Sequence, residues 1–286
     1  MLTEFLQQII NGLTIGTIYS LMACGLTLIF GVMLVVNFAH GEFYMLGGFL
    51  VYQMLAILRI NYAVSLIMSV VIIILFGMIA ERILLKPMRG EGIVNTAVVM
   101  IGLSIFLQNM ALLIWGPTPK RIVSPFSSVP LEIGNFSFTP LQIFTTAVTV
   151  LVIISAHLFL RKAKLGKAIR ATFSDREAAA LVGVNIDLVH SVTFGFGSAL
   201  AGISGALLGS VFLVFPTMGE LPIVKAFVVV IVGGMGNFLG AIFSGLMLGV
   251  VESLGAGFIS SGYKDALGFI VVILVILYRE LGLFRR

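Results

Sequence analysis

Residues 5–41 read FLQQIINGLTIGTIYSLMACGLTLIFGVMLVVNFAHG, a run of apolar and small side chains without a single Asp, Glu, Lys or Arg. About 20 such residues cross the roughly 30 Å hydrocarbon core of a bilayer as a helix, so the run is long enough to span. A cleavable secretory signal is not expected, because residues 1–4 carry no basic segment and the apolar stretch is much longer than a signal's hydrophobic core. The run is expected to stay as a membrane helix. Cys24, the lone cysteine, lies inside it, which leaves no intramolecular disulfide and no cysteine-based metal site.

Further charge-free runs cover residues 43–58, 62–80, 92–119, 133–160, 188–219, 226–251 and 266–278. The 286-residue chain is 59% apolar, only 10% charged and rich in glycine, with a mean hydropathy of +1.17. Soluble domains carry about a quarter charged residues. A transmembrane barrel would alternate apolar and polar residues over about ten positions, whereas these runs are continuous. The predicted fold is therefore an all-α polytopic transmembrane bundle of about eight to ten spanning or re-entrant helices, a single membrane domain over residues 1–286.

Basic residues set the orientation. Arg161, Lys162, Lys164, Lys167, Arg170 and Arg176 crowd one loop and Arg82, Lys86 and Arg89 another, so both are placed in the cytoplasm. In a membrane protein the net charge of +5 is first a topology signal, and no nucleic-acid partner is expected. The Pro-, Ser- and Gly-rich segment 116–140 falls outside. Three runs before Arg82 put the N-terminus outside, while Arg279, Arg285 and Arg286 pull the C-terminus inside. Eight simple crossings cannot satisfy both. A broken element would resolve the conflict, at Asn37-Phe-Ala-His-Gly-Glu42 or at Gly233-Gly-Met-Gly-Asn237.

The polar loop over residues 161–187 holds Ser174-Asp-Arg-Glu-Ala-Ala-Ala-Leu-Val-Gly183. Ser174 and Glu177 have the spacing of a capping box, in which each side chain bonds the other's backbone N–H, and a helix is predicted to start there. Ala178, Leu181 and Val182 share one face, and Gly183 is placed to end the helix in the left-handed conformation. Two turns are too few to persist alone in water. Two roles fit: a small-residue helix inserted into a groove on another protein, or a helix lying on lipid headgroups beside its basic neighbours.

Within the spans, Gly195, Ser198, Gly202, Gly205 and Gly209 recur at alternating steps of three and four, and Ala241, Gly245, Gly249 and Ser253 at steps of four. Each set forms one helix face that lets a neighbouring backbone come close, whether as a static interface or a sliding surface. Asn37-Phe38 with Phe43 is echoed by Asn237-Phe238 with Phe243, a hint of an internal repeat. His40 and Glu42 are a polar pair in apolar surroundings. They read either as lining of a translocation path or as a helix start, with Asn37 capping and Glu42 near the positive end of the dipole. Glu252 is expected to bond a neighbouring helix, and Trp115 beside Gly116-Pro117 to anchor at the membrane interface.

Glu177-Ala-Ala-x-x-x-Gly183 resembles the EAA loop of ABC importer permeases, the coupling helix that docks into a cleft of the ATPase subunit. The longer string from Lys167 to Asn185 is similar to the corresponding loop of branched-chain amino acid permeases of the LivH type. Residues Asn37–Gly47 and Gly233–Gly240 resemble the same family, in the family's order. The Ile-x-Leu-Pro ending of the wider EAA signature is absent after Gly183, which separates the chain from maltose-type permeases.

The resemblance implies a permease in a bacterial or archaeal inner membrane, paired with a second similar permease in a heterodimer. It would move leucine, isoleucine or valine delivered by an extracytoplasmic solute-binding protein. It further implies ATPase docking on Ser174, Asp175, Arg176, Glu177, Ala178, Ala179, Leu181 and Gly183; the polar groups within apolar surroundings, Asn37, His40, Glu42, Asn237 and Glu252, are the candidates for a pathway or gate. No G-x-x-x-x-G-K-[ST] phosphate loop occurs in the sequence, so ATP is expected to bind a partner subunit, with no cofactor or metal in this chain. A urea or short-amide permease is the nearest rival within the same resemblance. An ion-coupled secondary transporter would need midplane ion ligands, for which only His40, Glu42 and Glu252 qualify. A membrane enzyme is disfavoured, since His40, His157 and His190 are scattered and no paired catalytic carboxylates occur.

Overall fold

The computed structural model describes residues 1–280 except 127, 128 and 135; Arg285 and Arg286, used above for orientation, lie outside the described residues. The chain is a helical bundle, and among the described residues six helices are long and apolar enough to cross a membrane. They are α1 (Leu2–Met33), α3 (Tyr62–Ala80, extended by a π-turn to Leu85), α4 (Ile93–Trp115), α5 (Pro140–Lys162), α8 (Ile186–Val211) and α10 (Phe238–Phe258). Three shorter helices sit among them: α2 (His40–Tyr52, extended by a π-turn to Ile57), α9 (Glu220–Gly233) and α11 (Lys264–Glu280). Two more, α6 (Lys164–Ser174) and α7 (Arg176–Leu181), cover one end. A small hairpin of β1 (Leu131–Ile133) and β2 (Phe136–Phe138) lies at the other.

Side-chain size sorts the helices. α8, and α1 from Gly12 onward, are rich in Gly, Ser, Thr and Ala and are mostly enclosed. α3, α4 and α5 carry bulky residues such as Ile67, Val71, Leu75, Val98, Ile105 and Leu151 on an outward face. Small residues let backbones approach where helices meet, and lipid tails accept the large ones.

Contacts define the two ends. Gln7 near the start of α1 exchanges hydrogen bonds with Ser137 of β2, and Lys120 pairs with Val214 just after α8. At the opposite, basic end, Glu81 and Arg89 meet Ser191 and Asp187 at the start of α8. α1 and α8 thus run in opposite directions through the middle.

Both central helices are followed by a chain that turns back into the slab before a helix begins. Leu34 (φ 54°) ends α1 in the left-handed conformation. His40, the first residue of α2, then donates from Nε2 to the Met22 carbonyl at 3.0 Å, about 16 Å back along α1. After α8 the chain descends from Val214 to Gly219, whose backbone packs on Gly41. α2 and α9 therefore start inside the bundle with their N-termini together and leave through opposite ends.

The same scheme relates α1–α2–α3 to α8–α9–α10. Gly77 of α3 lies against Ser198 of α8, and Gly245 of α10 lies against Ser20 of α1, with Ser20 and Ser198 equally far from the ends of their helices. This is an inverted-topology repeat. It corrects the echo read from Asn37 and Asn237: the counterpart of the Asn37 segment is the segment entering α9, and Asn237 caps α10 as Asn61 caps α3.

The apolar run 226–251 contains two helices, broken at Gly234 (φ 91°) and Gly236 (φ 81°). Residues 220–225, which read as a charged boundary, belong to α9 inside the bundle. Among the described residues the chain thus passes through the bundle nine times, α2 and α9 each completing a crossing that an extended segment begins, an odd number that puts the N-terminus at the hairpin end and the close of α11 at the basic end. The topological conflict disappears.

Candidate coupling surface and buried polar clusters

At the basic end, α6 and α7 meet at Asp175, whose extended backbone (φ −158°, ψ 110°) breaks the helix. The Asp175 carboxylate accepts from the N–H groups of Glu177 and Ala178, both at 2.9 Å. The Ser174–Glu177 capping box is not formed: Ser174 lies in the last turn of α6, and the charged oxygen one residue later is the acceptor. Gly183 (φ 85°) closes α7, with Val184 N–H bonding the Ala179 carbonyl and Gly183 N–H the Ala180 carbonyl. This is the paired arrangement of a Schellman motif.

Ala179 is buried against the bundle, while Leu181 and Val182 are 88% and 79% exposed. Arg176, Glu177 and Ala178 are exposed as well. α6 buries Gly166, Ile169 and Thr172. Its Phe173 lies against Gly31 of α1 and Gly236 in the break before α10, and Gly236 N–H donates to Thr27 of α1 at 2.9 Å. The α6–α7 segment therefore touches both the end of α1 and the α9–α10 break.

Asn37, His40 and Glu42 come together at the start of α2 and are almost fully buried. Ala39, not Asn37, is the residue before the helix, and no side chain caps it; both polar atoms of the Asn37 side chain are buried without a partner. Glu42 occupies the first turn, near the positive dipole end, and accepts from Ser104 of α4 at 3.0 Å. One helical turn along α4, Gln108 donates to Glu220 at 2.7 Å.

Glu220, the first residue of α9, is exposed at this depth beside Leu221 and Val224. The sequence reading missed it because it lies outside a charge-free run. Its signal was Gly219-Glu220, which repeats Gly41-Glu42. A carboxylate facing hydrocarbon costs about 2.5–3.5 kcal/mol, so this face of α2, α4 and α9 suits a water-filled path or another polypeptide better than lipid.

Glu252 stands apart from these groups. Its carboxylate accepts from Lys225 at 2.7 Å and from Tyr19 at 3.0 Å, and Lys225 also donates to Asp265 at 2.7 Å. Lys225, likewise unread from the sequence, thereby ties α9 to α1, α10 and α11. At the basic end Glu81, fully buried, accepts from Arg89 and from Ser191, each at 2.5 Å, and Arg89 and Lys86 pair with Asp187. Asn237 is at that end too, bonded to the Gly240 N–H, remote from Glu42. Trp115 is half-buried; it stacks on Phe49 with 4.5 Å between centroids and donates to Gln53 at 2.9 Å. It pins the last residue of α4 to α2 and the π-turn that extends it.

The glycine faces meet backbone. Gly195 and Ser198 approach α3, Gly202 lies between Ile73 and Gly47, Gly205 faces the Tyr44 carbonyl, and Gly209 packs on Val214. Ala241 is buried, Gly245 meets Ser20, and Gly249 meets Gly12 and Gly16. Among the described residues no group of His, Cys, Asp and Glu is arranged to hold a metal ion.

A bundle of spanning helices with an inverted repeat and half-helices meeting inside it is the architecture of many polytopic transport permeases. A family model described as branched-chain amino acid transport system / permease component matches residues 8–276. The chain belongs to that family. It is 35% identical over 295 residues to the high-affinity branched-chain amino acid transport system permease protein LivH of Escherichia coli strain K12, covering 99% of this chain and 96% of that protein. Identity to the BraD permease protein of Pseudomonas aeruginosa is 36% over 303 residues, with the same coverage. A probable LivH permease of Methanocaldococcus jannaschii is 28% identical over 274 residues, 93% of this chain and 85% of that one. No solved structure matches. The matches favour the branched-chain permease reading over the urea, short-amide and ion-coupled alternatives.

Proposed function

We propose that the chain is a membrane subunit of an ABC importer for leucine, isoleucine and valine in the inner membrane of a bacterium or archaeon. The observation that carries this is the family match over almost the whole chain. The basic end faces the cytoplasm, in keeping with its clustered Lys and Arg. ATP binds a separate ATPase subunit, which docks on α7 through Leu181 and Val182. Docking movements reach α1 and the α9–α10 break through Phe173. A second similar permease lies against the α2, α4 and α9 face, and the path between the two is bordered by Glu42 and Glu220. An extracytoplasmic binding protein delivers solute at the hairpin end and sets most of the specificity.

The test is reconstitution of this chain with its ATPase, second permease and binding protein in liposomes. ATP-dependent leucine uptake that fails without the ATPase is expected. Saturable uptake of urea or ribose without competition from leucine would refute the solute assignment, and ion-driven uptake by this chain alone would refute the mechanism.

A further inference from the structure

We propose that the cavity of about 240 Å³ at the basic end, among the ends of α1 and α3 and the starts of α4, α7 and α8, is a regulatory site for a zwitterionic amino acid with a short apolar side chain. The inference rests on the proposed function in one respect, that such amino acids are what accumulates on this side. Its volume equals that of about eight waters, room for one small amino acid. Met33, Val35, Leu85, Met88 and Ile93 supply apolar wall, Arg89, Arg176 and His190 supply donors, and Glu91 an acceptor.

Orphaned donors point to a ligand. His190 is 3% exposed and neither ring nitrogen has a partner; Arg89 Nε is likewise buried and unpartnered. The two terminal nitrogens of Arg89 are already held by Glu81 and Asp187, which fixes the guanidinium and leaves Nε free. Buried donors left unmade are unfavourable, so they call for an acceptor inside the cavity. A carboxylate accepts from Arg89, His190 and Arg176 together. Glu91, whose side chain bonds Asn95 at 3.0 Å, is placed to take the ammonium group, and the apolar wall takes the side chain.

Arg176 is the first residue of α7. A carboxylate bridging Arg176 to Arg89 and His190 ties α7 to the α3–α4 turn and to α8. Filling of the site by internal amino acid then restrains α7 and slows import as the internal pool rises.

The assay uses the assembled importer in lipid nanodiscs without binding protein, with radiolabelled leucine in equilibrium dialysis. Saturable binding is expected, weakened at least about tenfold by Met88→Trp, which fills the cavity, and by His190→Leu, which removes donors. 4-Methyl-2-oxopentanoate, with the same side chain and carboxylate but no ammonium, is expected to bind more weakly, and Glu91→Gln to erase that difference. Leucine trapped inside liposomes is expected to lower the initial uptake rate several-fold in the unmodified complex and not in Met88→Trp. Absence of saturable leucine binding, binding unchanged in both variants, or an oxo acid that binds as well as leucine would overturn the proposal. Uptake driven by the binding protein in the same liposomes keeps the two ideas apart: uptake without site binding refutes this site alone, and lack of uptake refutes the transport assignment.

Discussion

Replacing Lys225 by Met is expected to destabilise the bundle by about 3–5 kcal/mol, because it leaves Glu252 as an uncompensated buried charge. Lys225 and Glu252 side chains are each 6% exposed and 2.7 Å apart. Tyr19 remains as a single donor to the Glu252 carboxylate at 3.0 Å, too little to replace an ammonium. Asp265 suffers less, since its side chain is 34% exposed and can turn to water. For chains of this size about 2–4 °C accompanies each kcal/mol, so the apparent midpoint should fall by roughly 6–20 °C. Removing Glu252 as well, in Lys225→Met with Glu252→Leu, is expected to recover more than half of that loss, since a buried pair exchanged for apolar groups is close to neutral. The assay is thermal denaturation of the purified protein in detergent, read as a midpoint at fixed scan rate because unfolding is irreversible for many such proteins. A single variant within about 2 °C of the parent, or a double variant whose loss is the sum of the two single losses, would refute the reasoning.

Three further outcomes follow from named contacts. Asp175→Ala is expected to weaken α7 by about 0.5–2 kcal/mol and to reduce ATPase co-purification more than Ser174→Ala; equal retention for both variants would contradict the cap assignment. Gly245→Ala sets a Cβ 2.6 Å from the Ser20 nitrogen, whereas Gly102→Ala meets nothing within 4 Å. The first should cost about 1–3 kcal/mol and the second nothing, as measured by melting in detergent. Glu220→Leu is expected to leave folding intact but to lower ATP-dependent uptake at least about tenfold; unchanged uptake would remove Glu220 from the pathway.

Composition and charge-free runs determine the membrane class because lipid admits only structures that satisfy their own backbone, and continuous apolar runs leave helices as the answer. The short helix at Arg176–Leu181 and its glycine stop were also legible, since a left-handed C-terminus leaves a local signature at Gly183. The choice of Asp175 over Ser174 was not, because two adjacent acceptors compete and backbone geometry selects between them. The charge-free criterion stopped at Glu220 and Lys225, so it concealed that α9 begins inside the bundle. What decided these residues was partnership. Lys225 is tolerated there because Glu252, Asp265 and Tyr19 come from three other helices to meet it, and Glu220 because α4 brings Gln108. Of the repeat, the sequence carries little beyond Gly41-Glu42 and Gly219-Glu220; the pairing of Gly77 with Ser198 and of Gly245 with Ser20 emerged in space, because close backbone approach needs small side chains, not particular neighbours along the chain. A sequence states which groups are expensive to bury, and the tertiary structure alone supplies the partners that let them stay.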